Sequence, residues 1–454
     1  MRKITVRNRD VLVSHGNTSL RNTVLDIVEA GLNHADPYHR LHEIMHLDGD
    51  ILTVGKDVFD LKKHKRIYVI GGGKATYPLA KALDEMLGER ITDGVVVLKH
   101  GMEGSLEHIR IYYGSHPTPD ESGLEGTKEL MKIVYQTQPD DLIFSISTGG
   151  STSLLPYPVE GITLADVKLT GKIMLQCGAS MYEMNYVRNH LTRSKCGWMA
   201  KSIHKDAHIV NLGVSDGLLY PDIYTVEPTG PASSTFDDAR KALTKYKLWD
   251  KIPENVAAYI RNGNESNENP HDLSDHHIYT HVVVGERAAA EGALAKAREL
   301  GFNAFILSTL IDGEATESGN FLVNVAHEIQ VYDAPFKKPV MMIVAGENNM
   351  QIDIPNPGTG GPSQQCALSA ALSLEGIDNI VLCAVDTDGT DGPTDNAGGL
   401  VDSSSIEKAN ESGIDIKDYL RQFNSAEALT KMGDLVYTGH TGTNVNDLRV
   451  IAIL

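Results

Sequence analysis

Apolar residues fall into two recurring patterns along the chain. Leu20, Val24, Ile27, Val28 and Leu32 recur at helical spacing after the polar Asn17–Thr18 and before Pro37. That spacing predicts a capped helix. Further on, short runs rich in β-branched residues are each followed by a glycine-rich or polar turn and then a helical segment. RIYVIGGGKATYPLAKALDEML is the clearest such unit. DGVVVLKH, IRIYYGSHPTPDESG, DDLIFSISTGGSTSLL, AHIVNLGVSDG, HHIYTHVVVGERAAAEGALAKARELG and NAFILSTLIDGEA continue it. Strands alternating with helices predict an α/β fold with a Rossmann-like, mostly parallel sheet covered by helices on both faces. DAPFKKPVMMIVAGENN restarts the pattern after a polar stretch containing Pro335 and Pro339. A boundary is therefore expected near 335, dividing a large domain, 1–334, from a smaller α/β domain, 335–454, with two more strands at NIVLCAVDT and LRVIAIL. Ligands in open α/β sheets bind at the C-terminal ends of strands. The loops GGGKAT, STGGSTS, SDG, AGENN and DTDGTDG all stand there.

Charge narrows the partners. The 454 residues carry 41 Lys and Arg against 60 Asp and Glu, a net charge of −19. Such a chain is a poor binder of nucleic acid or an anionic membrane, and any anion it takes must be held by a local cluster of donors. Cys177, Cys196, Cys366 and Cys383 have no CxxC spacing and read as reduced, mostly buried thiols. The first residues, MRKITVRNRDVLVSHGN, show no apolar secretory stretch, and no window approaches the apolar length of a membrane span. A cytoplasmic protein is expected.

Within the strand-end loops, Gly72 and Gly73 precede Lys74 at a strand-to-helix turn, where backbone N–H groups can cradle an anion. This is not a phosphate-binding GxxxxGK[ST] loop, because Tyr68 and Ala75 stand at the required Gly and Ser/Thr positions. It is also a broken dinucleotide fingerprint, with Thr76 for the third glycine. The plain alternative is a tight turn with an exposed lysine. Gly149, Gly150 and Ser151 form a second candidate nest, against the reading of a serine-rich turn. Arg188, His190, Arg193 and Lys195 in NYVRNHLTRSKCGW, together with Asn185, are candidates for a small carboxylate or phosphate, against the polar face of a helix. HEIMH (His42–His46) matches a zinc pattern but runs at once into LDGD, so a polar helix face is expected. DTDGTDGPTDNAGG lacks EF-hand spacing, since Thr390 stands at position 5 and Ala397 at position 12. Clustered Asp at a strand end suits Mg²⁺ or a carboxylate base.

Taken in order, GGGKA, SHPTPDESG, STGGSTSLL, EMNYVRNHLTRSK, VSDG, DGEA, TDGTDGPTDNAGG and TGHTGTNVNDL resemble the glycerate 2-kinase (class II glycerate kinase) family, over residues 71–448. The resemblance implies a large N-terminal domain, a smaller C-terminal domain of the MOFRL type and an active site in the cleft between them. It implies ATP- and Mg²⁺-dependent phosphorylation of a hydroxyl on glycerate or a related sugar acid. Lys74, Asp388 and Asp391 would be catalytic; Asn185, Arg188, Lys195 and Ser151 would bind substrate. Gly72, Gly73, Gly149, Gly150, Asn444 and Asn446 would hold nucleotide or phosphate, and Asp216, Glu347 and Asp388 a metal. Expected partners are a small sugar acid and a nucleotide, with no nucleic acid and no membrane; a homo-oligomer is allowed but not required. Where the family usually reads GGRNQE, GGETTV and SGPT, this chain has GGPSQQ, AGENNM and VEPT. Pro362 replaces an arginine, which points to an altered substrate or a lost kinase activity. A hydroxypyruvate reductase-like oxidoreductase and a catalytically impaired sugar-acid-binding homologue are the alternatives.

Overall fold

The computed structural model describes residues 3–215 and 228–454. The chain forms two compact units, one spanning Leu41–Val214 and continuing to Val283, the other joining the N-terminal residues up to Arg40 to Val284–Leu454.

The first unit opens on three short antiparallel strands, β1 (Met45–Asp48), β2 (Ile51–Val54) and β3 (Asp57–Asp60). A six-stranded sheet follows, from β4 (Ile67–Gly72), β5 (Asp93–Lys99), β6 (Arg110–Gly114), β7 (Leu142–Thr148), β8 (His208–Val214) and β9 (His277–Val284), in the order β6-β5-β4-β7-β8-β9. Pairing is parallel from β6 through β8. β4 is buried along its whole length, as expected of a strand with both faces covered. Tyr68, Ile70, Val95, Val97, Ile143 and Ile209 pack against Leu130, Met131 and Val134 of the helix Glu121–Tyr135. His42 lies in the last turn of the helix Pro37–Ile44 while His46 lies on β1. The two histidines of HEIMH therefore do not share a helix.

The second sheet is mixed. It contains β10 (Asn303–Ile311), β11 (Val340–Gly346), β12 (Ile380–Asp386), β13 (Gly398–Asp402), β14 (Leu435–Val436) and β15 (Asp447–Ile453), in the order β10-β11-β15-β12-β13-β14. Only β10 and β11 pair in parallel; β15 runs antiparallel between β11 and β12. The stretch around 335 joins β10 to β11 inside this sheet, so the strand before Pro335 belongs with those after it. The expected helix is Thr18–His34, with Leu20, Val24, Ile27, Val28 and Leu32 buried, and it is part of this same unit. At Gly31 a Cβ would come within 2.6 Å of the Ala289 carbonyl, so only glycine permits this close helix–helix approach.

Candidate active site

In the parallel-sheet unit the strand register builds the first group. Gly72 of β4 lies beside Ser147 of β7, so the turns that follow the two strands are neighbours. Lys74 N–H donates to the Gly149 carbonyl at 2.9 Å, and Ala75 N–H to Thr148 Oγ1 at 3.1 Å. Gly73 has φ +145°, and a Cβ there would lie 2.0 Å from Thr148 Oγ1. Gly150, at φ +87°, faces Lys74 Cγ and His116 Cδ2, which a Cβ would meet at 3.1 and 3.2 Å. Lys74 is half-buried, Ser151 is buried, and Gly72 and Gly73 are enclosed. His116 thus joins Lys74 and Gly150. No role followed for it from the sequence, although it stands in SHPTPDESG.

The second group of this unit is cationic. Asn185 and Arg188 are three residues apart on the helix Met181–Arg188 and share a face. Lys195 is only 2 % exposed. Burial pushes its pKa well below the ordinary lysine value, and the nearby Arg188 charge pushes the same way. Burial also lowers the Arg188 pKa. Neither cation pairs with a carboxylate among the described residues. Two like charges held together out of water are unfavourable until an anion joins them. His190 of the same motif is occupied elsewhere, bonding Glu268 Oε1 at 2.8 Å and the Tyr186 carbonyl at 2.6 Å.

The mixed-sheet unit gathers the acidic residues. β15 starts at Asp447, which lies in register with Gly346 at the end of β11 and Asp386 at the end of β12. Glu347, Asp386 and Asn446 are therefore neighbours at one end of these central strands, with Asp388 two residues beyond Asp386. Glu347 is exposed, and Asp388 is 5 % exposed. Asp388 Oδ1 accepts from Thr390 N–H at 2.7 Å and Thr390 Oγ1 at 2.6 Å, which fixes the loop. The loop is tied to the segment carrying Asn444 and Asn446 by Thr387 N–H to the Asn446 carbonyl at 3.0 Å and Val445 N–H to Thr387 Oγ1 at 2.9 Å. Among the described residues no group of three His, Cys, Asp or Glu side chains converges as a metal cage. Asp216 lies outside the described residues.

Asp391 is engaged by the chain itself. It is 1 % exposed, and its two carboxylate oxygens accept from Ser363 N–H at 3.1 Å and Gln364 N–H at 2.7 Å. These are orphan donors in the first turn of the helix Pro362–Ser373, whose own N-cap is Gly361. Asp391 thus caps this helix from a distant loop. Gly361 is obligatory beneath it, since a Cβ would come 2.3 Å from Asp391 Cγ. Burial, with Asp447 and Asp388 nearby, holds the Asp391 carboxyl well above the usual range. Pro362 occupies the first helical position, where a missing N–H costs nothing and the fixed φ is helical.

Comparison with known proteins bears on this arrangement. Residues 23–261 match the model of a domain of unknown function, DUF4147, and residues 340–447 match that of the MOFRL family. The chain is 37 % identical over 441 residues to the glycerate 2-kinase of Pyrococcus horikoshii, covering 96 % of this chain and 97 % of that one. It is 34 % identical over 389 residues to a putative hydroxypyruvate reductase of Agrobacterium vitis, covering 86 % and 99 %. The crystal structure of the Thermotoga maritima glycerate kinase superposes with a TM-score of 0.79 at 36 % identity, over 96 % of this chain and all of that one. With both domain models matched in order and relatives spanning nearly its whole length, the chain belongs to the glycerate kinase family and is a glycerate kinase-like enzyme.

Proposed function

We propose that the protein transfers the γ-phosphoryl group of ATP to a hydroxyl of glycerate or a related small sugar acid. The observation that carries this reading is the buried Arg188–Lys195 pair, which offers two desolvated positive charges and has no carboxylate of its own among the described residues. A sugar-acid carboxylate supplies the missing charge, with Asn185 on the same helix as Arg188 and Ser151 at the turn after β7 completing the substrate contacts. Lys74 and the turns Gly72–Gly73 and Gly149–Gly150 hold phosphate oxygens, and Asn444 and Asn446 hold the nucleotide. Asp388 accepts the proton of the attacking hydroxyl while the bond from γ-phosphorus to the bridging oxygen breaks and ADP leaves. Asp388 and Glu347 are hard oxygen donors of the kind Mg²⁺ takes alongside phosphates and water. When bound, the ion would neutralise phosphate charge. That Asp388 is fixed by its own loop favours such a role, because a preorganised carboxylate needs no rearrangement.

The test is ADP release and phosphorus NMR of the product with ATP, Mg²⁺ and a panel of C3 to C6 hydroxy acids. Acid-dependent ADP release with a new phosphomonoester is expected. No turnover on any acid overturns the reading. Lys74→Ala is expected to lower kcat far more than Lys195→Ala, which acts mainly on KM. Absorbance of a nicotinamide cofactor with hydroxypyruvate checks the oxidoreductase alternative, and no change is expected.

A further inference from the structure

Residues 115–120 leave the C-terminal end of β6 and enter the helix Glu121–Tyr135. The segment is pinned on both sides. Ser115 Oγ donates to Asp120 Oδ2 at 2.8 Å, and Asp120 Oδ1 accepts the Gly123 N–H at 2.9 Å as the cap of that helix. His100 Nε2 lies 2.9 Å from Asp120 Oδ2. Burial raises the Asp120 pKa, but the bonds from Gly123, His100 and Ser115 outweigh it and hold the carboxyl far below the usual range. The one carboxylate of the segment is therefore engaged by the segment's own fold. Between these anchors the Pro117 carbonyl accepts from Ser153 Oγ at 2.6 Å, and Ser153 is only 4 % exposed. Ser153 N–H donates in turn to the Gly150 carbonyl at 3.0 Å. His116, the residue before Pro117, is thus carried onto the turn that follows β7.

The Cδ2–Nε2 side of the ring faces Gly150. A Cβ at Gly150 would stand 3.2 Å from Cδ2, 3.5 Å from Nε2 and 3.1 Å from Lys74 Cγ. Glycine at this position leaves that space to the ring, the lysine stem and whatever the turn binds. His116 and Lys74 are both half-buried. An imidazole brings an N–H donor beside the lysine, and in a chain of net charge −19 a phosphate depends on donors placed locally. The plain alternative is a ring that only fills the space beside a glycine. In that case its shape matters and its N–H does not.

We propose that His116 is a further phosphate-binding residue of this enzyme, its Nε2–H donating to a phosphate oxygen of ATP held by Lys74 and the Gly149–Gly150 turn. The assignment rests on the phosphate role proposed for those turns. Two full-length variants separate a donor from a filler. His116→Phe keeps a flat ring and loses the N–H; His116→Gln keeps an N–H donor and loses the ring. Binding of the magnesium complex of β,γ-imido-ATP is measured by calorimetry, beside KM for ATP and KM for the acid that the wild-type enzyme phosphorylates. His116→Phe is expected to weaken the analogue about tenfold or more and to raise KM for ATP in parallel. His116→Gln should recover most of that loss. KM for the acid should move by less than about twofold in both variants, since the cations proposed to hold the acid stand on another segment, at Arg188 and Lys195. Binding by His116→Phe as tight as wild type, or binding by His116→Gln no tighter than by His116→Phe, overturns the proposal. An equal rise in both KM values also overturns it, because a disturbed fold and not a lost phosphate contact would then explain the loss. A wild-type enzyme that binds no nucleotide and phosphorylates no acid overturns the kinase reading and this assignment with it. Wild-type turnover beside an unaltered His116→Phe overturns the assignment alone.

Discussion

The two units bury positive charge in opposite ways. In the mixed-sheet unit Arg21 is fully buried, yet every charge around it is answered. Nε donates to Asp402 Oδ2 at 2.8 Å, and both terminal nitrogens donate to Asp434 Oδ1 at 2.9 Å. The carboxylates are satisfied in turn by Asn17 N–H, Ser404 Oγ, Ser405 Oγ and His15. Burial alone would lower the Arg21 pKa, but Asp434 and Asp402 outweigh it and raise it. In the parallel-sheet unit Lys195 is as deeply buried, but its nearest charged neighbour is another cation. A folded chain has no structural reason to hold such a pair. Complete pairing marks a charge that serves the fold, and incomplete pairing is what the proposed function requires of a charge kept for a ligand.

The largest expected effect breaks the paired case. Arg21→Met strands the Asp402 and Asp434 carboxylates, and removing one partner of a buried ionic group costs about 3–5 kcal/mol. Denaturant unfolding should show that loss in the mixed-sheet unit. A loss below about 1 kcal/mol would mean that the network is not what holds Thr18–His34 in place.

Two aspartates of one loop carry the comparison to the acidic side. Asp391→Ala leaves the Ser363 and Gln364 N–H groups without acceptors and is expected to cost about 2–3 kcal/mol of stability, while the folded fraction keeps its turnover. Asp388→Ala should do the reverse, with kcat falling about a hundredfold or more at a smaller cost in stability. Chemical denaturation and steady-state kinetics on the same two variants separate them. Loss of turnover without loss of stability in Asp391→Ala would return Asp391 to the catalytic group.

Much of this was legible in the sequence, for identifiable reasons. The helix Thr18–His34 and the strands from β4 to β12 follow from periodicity and apolar runs, and glycine-rich turns mark the strand ends where the candidate loops stand. Strand direction is not written in periodicity. β15 is buried along its whole length, as a central parallel strand would be, so nothing local shows that it runs antiparallel between β11 and β12. β13 begins with Gly398 and Gly399, which read as loop. Yet a Cβ on Gly398 would lie 1.8 Å from the Ala384 carbonyl of β12, so the glycine is there to let the strands meet. Asp391 capping a helix that begins 29 residues earlier, at Pro362, is a long-range relation that no local pattern carries. The hairpins β1–β3 had a signal in LDGD and TVGKD, where Gly49 and Gly55 turn with φ +58° and +55°.

The unpaired case can be sharpened through pH. Lys195→Met removes a buried charge with no partner and is expected to raise stability by about 1–2 kcal/mol while lowering kcat/KM for the acid. In the native enzyme the lowered Lys195 pKa has two opposite consequences. The folded state binds fewer protons here than the unfolded chain between that pKa and the ordinary value of 10.5, so the Lys195 contribution to stability rises with pH across that window. Over the same rise the cation proposed to receive the carboxylate is lost, and kcat/KM, which reports the free enzyme, should fall. Lys195→Arg should move that limb to higher pH, because a guanidinium keeps its proton. A kcat/KM profile flat from pH 6 to 10 would remove Lys195 from substrate binding.

His208 is a half-buried titratable group whose surroundings disfavour its charged form, and it should give the smallest effect. It opens β8 among His64, His277 and Tyr279, with ring centroids 5.0, 4.9 and 5.9 Å away. Burial lowers its pKa, His64 and His277 lower it further, and Asp140 opposes them. Because the folded pKa lies below the unfolded one, His208 costs nothing above about pH 6.5. Its penalty grows as pH falls below that value and levels off beneath the folded pKa. His208→Gln should flatten the decline in stability of the parallel-sheet unit between about pH 6.5 and 5, measured by denaturant midpoints across that range. An equally steep decline in the variant would assign it to other groups. Both groups can shed their charge, but they differ in what is then lost: under the proposed function the neutral form of Lys195 would no longer attract a carboxylate, whereas no anion is assigned to His208.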